Sequence, residues 1–259
     1  MMLSGQDLCM GYDQGLVLRD LNFQVSPGET LGILGPNGSG KTTLLRCINS
    51  ILKPSQGAVL VQGRNVLGLK GDEIAKKLGY VAQKAEIGRM TAFDAILLGR
   101  RPYLGWRVTP RDLRIVNAAI KRMGLEHLSL RHLDQMSGGE LQKVCIARAL
   151  VQEPLVMLLD EPTSSLDLKN QMEILDTIGY VVAEHQLAAV MTMHDLSLAL
   201  RFADKFLLLR EGRIYHHGKK SEISPDMVQE VYGVKVDILE HQGHLVVVPQ
   251  SPRQPGSPA

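Results

Sequence analysis

One stretch carries the clearest chemistry in this chain: Gly35-Pro36-Asn37-Gly38-Ser39-Gly40-Lys41-Thr42-Thr43. It fits the pattern Gly, four residues, Gly-Lys-Ser/Thr, in which backbone N–H groups converge on phosphate oxygens. Glycines let the backbone curl and approach a ligand closely, and the start of a following helix adds a partial positive charge. In such a loop Lys41 reaches the β- and γ-phosphates of a nucleotide, and the Thr42 hydroxyl ligates Mg²⁺. A carboxylate must then hold the metal. Asp160-Glu161 closes the apolar run Leu155-Val156-Met157-Leu158-Leu159, the kind of strand a parallel sheet buries on both faces. Ligands of open α/β sheets bind at that end of the strands. Successive strand side chains alternate, so the two acids are not expected to face the metal together. Asp160 is assigned to Mg²⁺ through water, and Glu161 to the attacking water. His194 ends the next apolar run, Leu187 to Met193, and should reach the same edge near the γ-phosphate. The plainer alternatives are an acid pair that only caps its strand and a structural histidine.

The elements that must position these residues can be read from the pattern. Thr30 to Leu34 is a short buried strand before the glycine loop, and Lys41 to Leu52 carries apolar residues at helical spacing. Residues 3 to 34 otherwise alternate strand-like runs with turns, with Leu16 to Leu18 and Leu21 to Val25 flanking Arg19-Asp20. Ala58 to Val61 and Leu78 to Ala82 are further strands, the second ending at Gln83. From Lys84 to Gln152 helical spacing dominates, so residues 84–152 are expected to form a helical subdomain inserted into an α/β core. Thr91-Ala92-Phe93-Asp94, Thr109-Pro110 and Ser137-Gly138-Gly139-Glu140 each open a helix there. Ile115, Ala118, Ala119, Arg122 and Met123 outline one face of the second. After His194 come a helix from Leu196 to Phe202, a hairpin turning at Glu211-Gly212, a strand-rich end and a tail from residue 249 expected to be flexible.

Composition narrows the partners. The chain has 259 residues, 44% apolar and 22% charged, with net charge +2 and 4% aromatic residues. Near-neutral charge and few aromatics argue against a nucleic-acid surface. Cys9, Cys47 and Cys145 are odd in number and widely spaced, which fits neither a disulfide framework nor a zinc site. Cys47 and Cys145 fall on the apolar sides of predicted helices, so core packing in a reducing compartment is expected. No apolar run approaches the roughly 18 residues that span a bilayer. A cytosolic chain that docks on a membrane protein remains compatible.

The series Tyr12, the glycine loop, Gln83, Ser137-Gly138-Gly139, Asp160-Glu161, Ser164-Ser165-Leu166-Asp167 and His194 is similar in order and spacing to the ATP-binding subunits of ABC transporters. The match spans residues 3–220 or so. The resemblance implies an α/β fold: a P-loop ATPase core with an antiparallel β subdomain and an inserted helical subdomain. It implies ATP and Mg²⁺ as cofactors, with Tyr12 stacking on adenine. It implies that Gln83 contacts metal or water and acts as a hinge. Ser137, Gly138 and Gly139 would bind the γ-phosphate of ATP held by a second copy, and Asp167 would cross the dimer interface. The signature usually reads Leu-Ser-Gly-Gly-Gln; here it is Met136-Ser137-Gly138-Gly139-Glu140. Met keeps an apolar plug, and Glu keeps a capping-box partner while adding negative charge.

The segment Gly99-Arg100-Arg101-Pro102-Tyr103-Leu104-Gly105-Trp106 holds the only tryptophan. An aromatic cluster rimmed by arginines suits a protein-binding groove, and a loop packed on its own helices is the alternative. It resembles the equivalent segment of iron-chelate, haem and cobalamin importers, a branch shared with molybdate and tungstate importers. The expected function is ATP hydrolysis driving uptake of a metal chelate at the cytoplasmic face of the inner membrane. Partners would be a second copy, two membrane-spanning permease subunits and, indirectly, an external binding protein, with no nucleic acid. A soluble ABC ATPase acting on nucleic acid or ribosomes is the competing class.

Overall fold

Both faces of the central sheet are covered, which is why its strands read as continuous apolar runs. The computed structural model describes residues 1–12, 15–83, 88–164 and 166–250, with Tyr12 in its backbone only. The chain opens with β1 (Leu3–Tyr12), β2 (Gly15–Val25), β3 (Thr30–Leu34) and α1 (Lys41–Ile48). β4 (Gln56–Val61), β5 (Arg64–Asn65), the short helix α2 (Gly71–Ala75) and β6 (Leu78–Val81) follow. A helical stretch then contains α3 (Ala92–Leu97), a 3₁₀ turn (Leu98–Tyr103), α4 (Pro110–Arg122) and α5 (Gly138–Leu150). Strands and helices alternate through β7 (Val156–Asp160), α6 (Leu168–His185), β8 (Ala188–Thr192) and α7 (Leu196–Phe202). β9 (Lys205–Arg210), β10 (Arg213–Lys219), α8 (Pro225–Tyr232), β11 (Val236–His241) and β12 (His244–Pro249) complete the order.

The central sheet has the order β10-β9-β3-β8-β7-β6, parallel from β9 to β6 with β10 antiparallel at one edge. A second, antiparallel sheet has the order β2-β1-β4-β5. Helix α1 lies between the two. Leu44, Leu45 and Ile48 share one core with Ile33, Leu158, Val190 and Leu207 of the central sheet and with Leu3, Leu18 and Leu21 of the antiparallel one. The alternate residues Leu34, Met157, Leu159, Met191 and Leu208 face the other way, into a core with α5, α6 and α7. Period-two alternation thus feeds two cores from one apolar run.

Several boundaries differ from the pattern reading. Arg19-Asp20 does not separate two strands; β2 runs through it, with an irregular register opposite β1 and Asp20 at φ 53. Helix α1 stops at Ile48, and Ser50 turns the chain at φ 56. Residues 88–152 contain helices and turns and no strand, only an isolated bridge between Thr91 and His132. The buried residues of α4 are Asp112, Val116, Ala119 and Ile120, of which the expected face shares Ala119. Ile115, Ala118 and Arg122 instead line a cleft of about 490 Å³ between α4 and α6. Both later hairpins turn on paired positive φ, at Glu211-Gly212 and Gln242-Gly243. β12 continues through Pro249, and the Gln250 N–H donates to the Lys235 carbonyl, so the boundary at 248 falls inside a paired strand. Residues 251–259 lie outside the described ones.

The arginine-rich turn packs Arg100 and Tyr103 onto the chain's own segments, the alternative to a groove rim. Arg100 is 2% exposed. Its Nε donates to Asp112 Oδ1 at 3.0 Å, and one terminal nitrogen donates to the Val151 carbonyl at 2.6 Å and Glu153 Oε2 at 2.8 Å. The guanidinium carbon lies 4.1 Å from the centre of the Tyr103 ring, and the Tyr103 hydroxyl donates to the Gln152 carbonyl at 2.8 Å. Arg100 therefore fastens the 3₁₀ turn to α4 and to the segment leading into β7. Thr109 and Arg100 together hold the Asp112 carboxyl below its ordinary range. Arg100→Met is expected to cost roughly 3 kcal/mol, because a similar volume remains while Asp112 loses its buried countercharge. Urea unfolding reads this directly; a loss under about 1 kcal/mol would mean that the network adds no net stability.

Candidate active site

The glycines of the loop answer steric demands as well as phosphate geometry. Gly35 follows β3 at φ 151, and a Cβ there would lie 2.0 Å from the Leu209 carbonyl oxygen on β9. Gly40, at φ 106, precedes the first residue of α1. Lys41 is 6% exposed, and its Nζ donates to the carbonyls of Gly35 at 2.8 Å and Pro36 at 3.0 Å. Burial pulls the ammonium below its ordinary pKa, while Glu161 and Asp160 pull it back up. A space of about 410 Å³ opens beside the loop, lined by Val17, Asn37, Gly38, Gly40, Lys41, Thr42 and Thr43 and by Gln83, Glu161 and His194. Pro36 and Ser39 complete the curl, and the buried Ser39 Oγ has no hydrogen-bond partner among the described residues. An unpartnered hydroxyl within a loop of this shape fits a phosphate ligand.

The acids occupy the edge expected of them, though not for the reason given by alternation. β7 ends at Asp160, and Glu161 leaves the strand at φ 48. The turn sends the two carboxylates to different partners. Asp160 Oδ1 accepts from the Thr42 hydroxyl at 3.0 Å and from Thr192 Oγ1 at 2.8 Å, while Tyr80 Oη stands 3.4 Å from Oδ2. Glu161 Oε2 accepts from Gln83 Nε2 at 2.5 Å, and Oε1 pairs with His194 Nε2. Glu161 is 9% exposed and His194 is open to solvent on the cavity side. The hydroxyl of Thr42, the Asp160 carboxylate and the Gln83 side chain give few, hard donors. That set suits Mg²⁺, which keeps waters and shares phosphate oxygens, and no group of three or more His, Cys, Asp or Glu that could hold a metal occurs among the described residues.

Other expected site residues lie elsewhere. Ser137, Gly138, Gly139 and Asp167 do not line this space. Ser137 caps α5: its Oγ accepts from the Glu140 N–H, and Glu140 Oε2 accepts from the Ser137 N–H at 2.8 Å, completing the capping box. These bonds hold the Glu140 carboxyl below its ordinary pKa. Met136 packs against the core as the apolar plug. Asp167 caps α6 through the Asn170 N–H at 2.8 Å, and a Cβ on Gly139 would meet the Asn170 side chain at 3.0 Å. Two helix N-termini thus stand side by side, and neither lines the space beside the glycine loop. The Tyr12 side chain and Ser165 lie outside the described residues. Thr192 and Tyr80 were not anticipated. A polar residue inside the apolar run Leu187 to Met193 was the available signal, since a buried hydroxyl needs partners.

A family model for the ABC transporter matches residues 18–164. The chain belongs to the ABC transporter family. It is 48% identical over 249 residues to an uncharacterized ABC transporter ATP-binding protein of Methanocaldococcus jannaschii, covering 96% of this chain and 98% of that one. It is 34% identical to the ferric enterobactin transport ATP-binding protein of Escherichia coli (95% and 93% covered) and 35% identical to a phosphonates import ATP-binding protein of Alcaligenes faecalis (90% and 89%). Among solved structures, an inward-facing transporter described as of metal-chelate type superposes with TM-score 0.84 at 27% identity, covering 96% of this chain and 97% of that one. A dimeric cassette bound to ADP and phosphate superposes with TM-score 0.76 at 29% identity, covering 85% and 99%. This ABC protein is accordingly an ATP-binding ATPase subunit. No helix among its described residues is long and apolar enough to cross a membrane.

Proposed function

We propose that this subunit hydrolyses ATP to drive uptake of a metal chelate, an iron-siderophore, haem or cobalamin, through separate membrane subunits. The observation that carries the reading is the whole-chain likeness to a transporter of metal-chelate type. Trp106, fully exposed beside the anchored Tyr103, adds a free aromatic where a permease would dock. Phosphonate uptake is the second reading, favoured by the relative from Alcaligenes faecalis.

In this reading the core comprises 1–83 and the residues from 153 to the end of β12, with 84–152 as a helical insert. The loop from Gly35 to Thr43 cradles the phosphates, and Lys41 leaves its two loop carbonyls for the β- and γ-phosphates. Thr42, Asp160 and Gln83 would hold Mg²⁺, which when bound neutralises charge on the phosphate oxygens. Glu161 orients the attacking water and takes its proton, with Gln83 and His194 fixing its two oxygens. Tyr12 stacks on adenine. Two chains pair head to tail, so that the paired helix N-termini at Ser137-Gly138-Gly139 and Asp167 complete the partner's site. The dimer sits at the cytoplasmic face of the inner membrane beneath two permeases served by an external binding protein.

Affinity capture of the tagged chain from detergent-solubilised native membranes tests this. Expected is a multi-span membrane protein in one-to-one amount, with a metal-chelate binding protein encoded nearby. Ribosomal or nucleic-acid proteins in its place would overturn the importer reading, and a phosphonate binding protein would select the second one.

A further inference from the structure

We propose that Thr192 is a positioning residue for hydrolysis: its hydroxyl sets the turned backbone of Glu161 and the orientation of Asp160. Asp160 and Thr192 are register partners, each the last residue of its strand, and Thr192 is fully buried. Its Oγ1 donates to Asp160 Oδ1 at 2.8 Å and accepts from the Glu161 N–H at 2.9 Å. One hydroxyl can do both, having one hydrogen and two lone pairs. On its other side Thr192 pairs with Ile33, two residues before the glycine loop. It sits where the strands that carry the loop, the acids and His194 meet.

Glu161 is a residue with a Cβ held at φ 48, a conformation that persists only when its surroundings determine it. The β7–β8 ladder ends at the Asp160–Thr192 pair, so the Glu161 N–H lies beyond it. The Thr192 hydroxyl supplies the acceptor that the ladder no longer does. That bond fixes the turn which carries the carboxylate to Gln83 and His194. For Asp160 the case is similar. Thr42 also donates to Oδ1, and its hydroxyl is the group a bound metal would claim; Tyr80 stands at the longer 3.4 Å. Thr192 is then the donor that keeps Asp160 in place.

The proposal rests on the role given above to Glu161, and the test separates the two. In the full chain, Thr192→Val keeps shape and removes both bonds. Expected is a fall in kcat on the order of 10- to 100-fold, the scale of a small misplacement of a reacting group, with KM for ATP within about threefold. Thr192→Ser, which keeps the hydroxyl, should restore most of the rate. Amide hydrogen exchange at Glu161, read by NMR without nucleotide or metal, should be slow in wild type and Thr192→Ser and fast in Thr192→Val. Undiminished kcat in Thr192→Val, or a Glu161 amide as protected as in wild type, would overturn the proposal. If the valine variant fails to fold, Thr192→Ala carries the same readouts. Glu161→Gln measured alongside assigns any failure: wild-type turnover there removes the role of Glu161, whereas the exchange result still decides that of Thr192.

Discussion

Glu161→Gln is expected to bind ATP with near wild-type affinity, hydrolyse it at least about 100-fold more slowly, and accumulate as an ATP-bound dimer. The substitution keeps size and leaves a carbonyl oxygen to accept from Gln83, which now bonds Glu161 Oε2 at 2.5 Å. What it removes is the group able to accept a proton from water. The cradle is untouched, since Lys41 contacts Gly35 and Pro36 and Thr42 contacts Asp160. Binding and turnover should therefore separate. The dimer is expected from the proposed function: Ser137, Gly138, Gly139 and Asp167 do not line the chain's own phosphate space, in that reading they serve the site of a second chain, and unhydrolysed ATP would keep the pair closed. Size-exclusion chromatography with ATP, followed by assay of the retained nucleotide, reads both. A variant that stays monomeric with ATP while wild type dimerises, or that turns over normally, would remove Glu161 as the hydrolytic carboxylate.

The edge where Lys41, Asp160, Glu161 and His194 meet was legible because its signals are local. A glycine loop between a strand and a helix, and acids or a histidine directly after apolar runs, are fixed by a few adjacent residues. Their convergence needs only parallel strands that end at one edge. What was hidden depends on partners distant in sequence. Thr192 looks like a strand former in a buried run, and only the β7–β8 register shows that it stands opposite Asp160. The same holds for Arg100, which in sequence reads as part of an arginine rim around an aromatic cluster and in the fold meets Asp112 and the Val151 carbonyl. Alternation separated Asp160 from Glu161 on paper, whereas the chain separates them by a positive φ that no pattern in the residues announces. On α4 the apolar positions fill two faces, one toward the core and one toward the cleft beside α6, so the periodicity alone could not choose between them.

Lys41→Ala should weaken ATP binding by roughly 10- to 100-fold, the range for losing a hydrogen bond to a charged group, and take hydrolysis below detection. The ammonium is buried, and its present acceptors are neutral carbonyls of its own loop, so it is held in place and free to exchange them for phosphate oxygens. It is also a local counterweight to two carboxylates, since both Glu161 and Asp160 stabilise its charge. Without it a triphosphate would enter a site with Asp160 and Glu161 and no cation from the loop, and repulsion would add to the lost bond. Lys41→Met separates charge from volume: it keeps a flexible stem over the loop, and it should fail as badly as alanine if the charge is what matters. Lys41→Arg keeps the charge with a broader head, and the snug contacts at Gly35 and Pro36 predict only partial recovery. Equilibrium titration with a fluorescent ATP analogue, with unfolding midpoints to show that the variants remain folded, decides the matter. Wild-type affinity in Lys41→Ala would detach the loop from nucleotide binding, and good binding by Lys41→Met with none by Lys41→Ala would mean that the stem, not the charge, shapes the cradle.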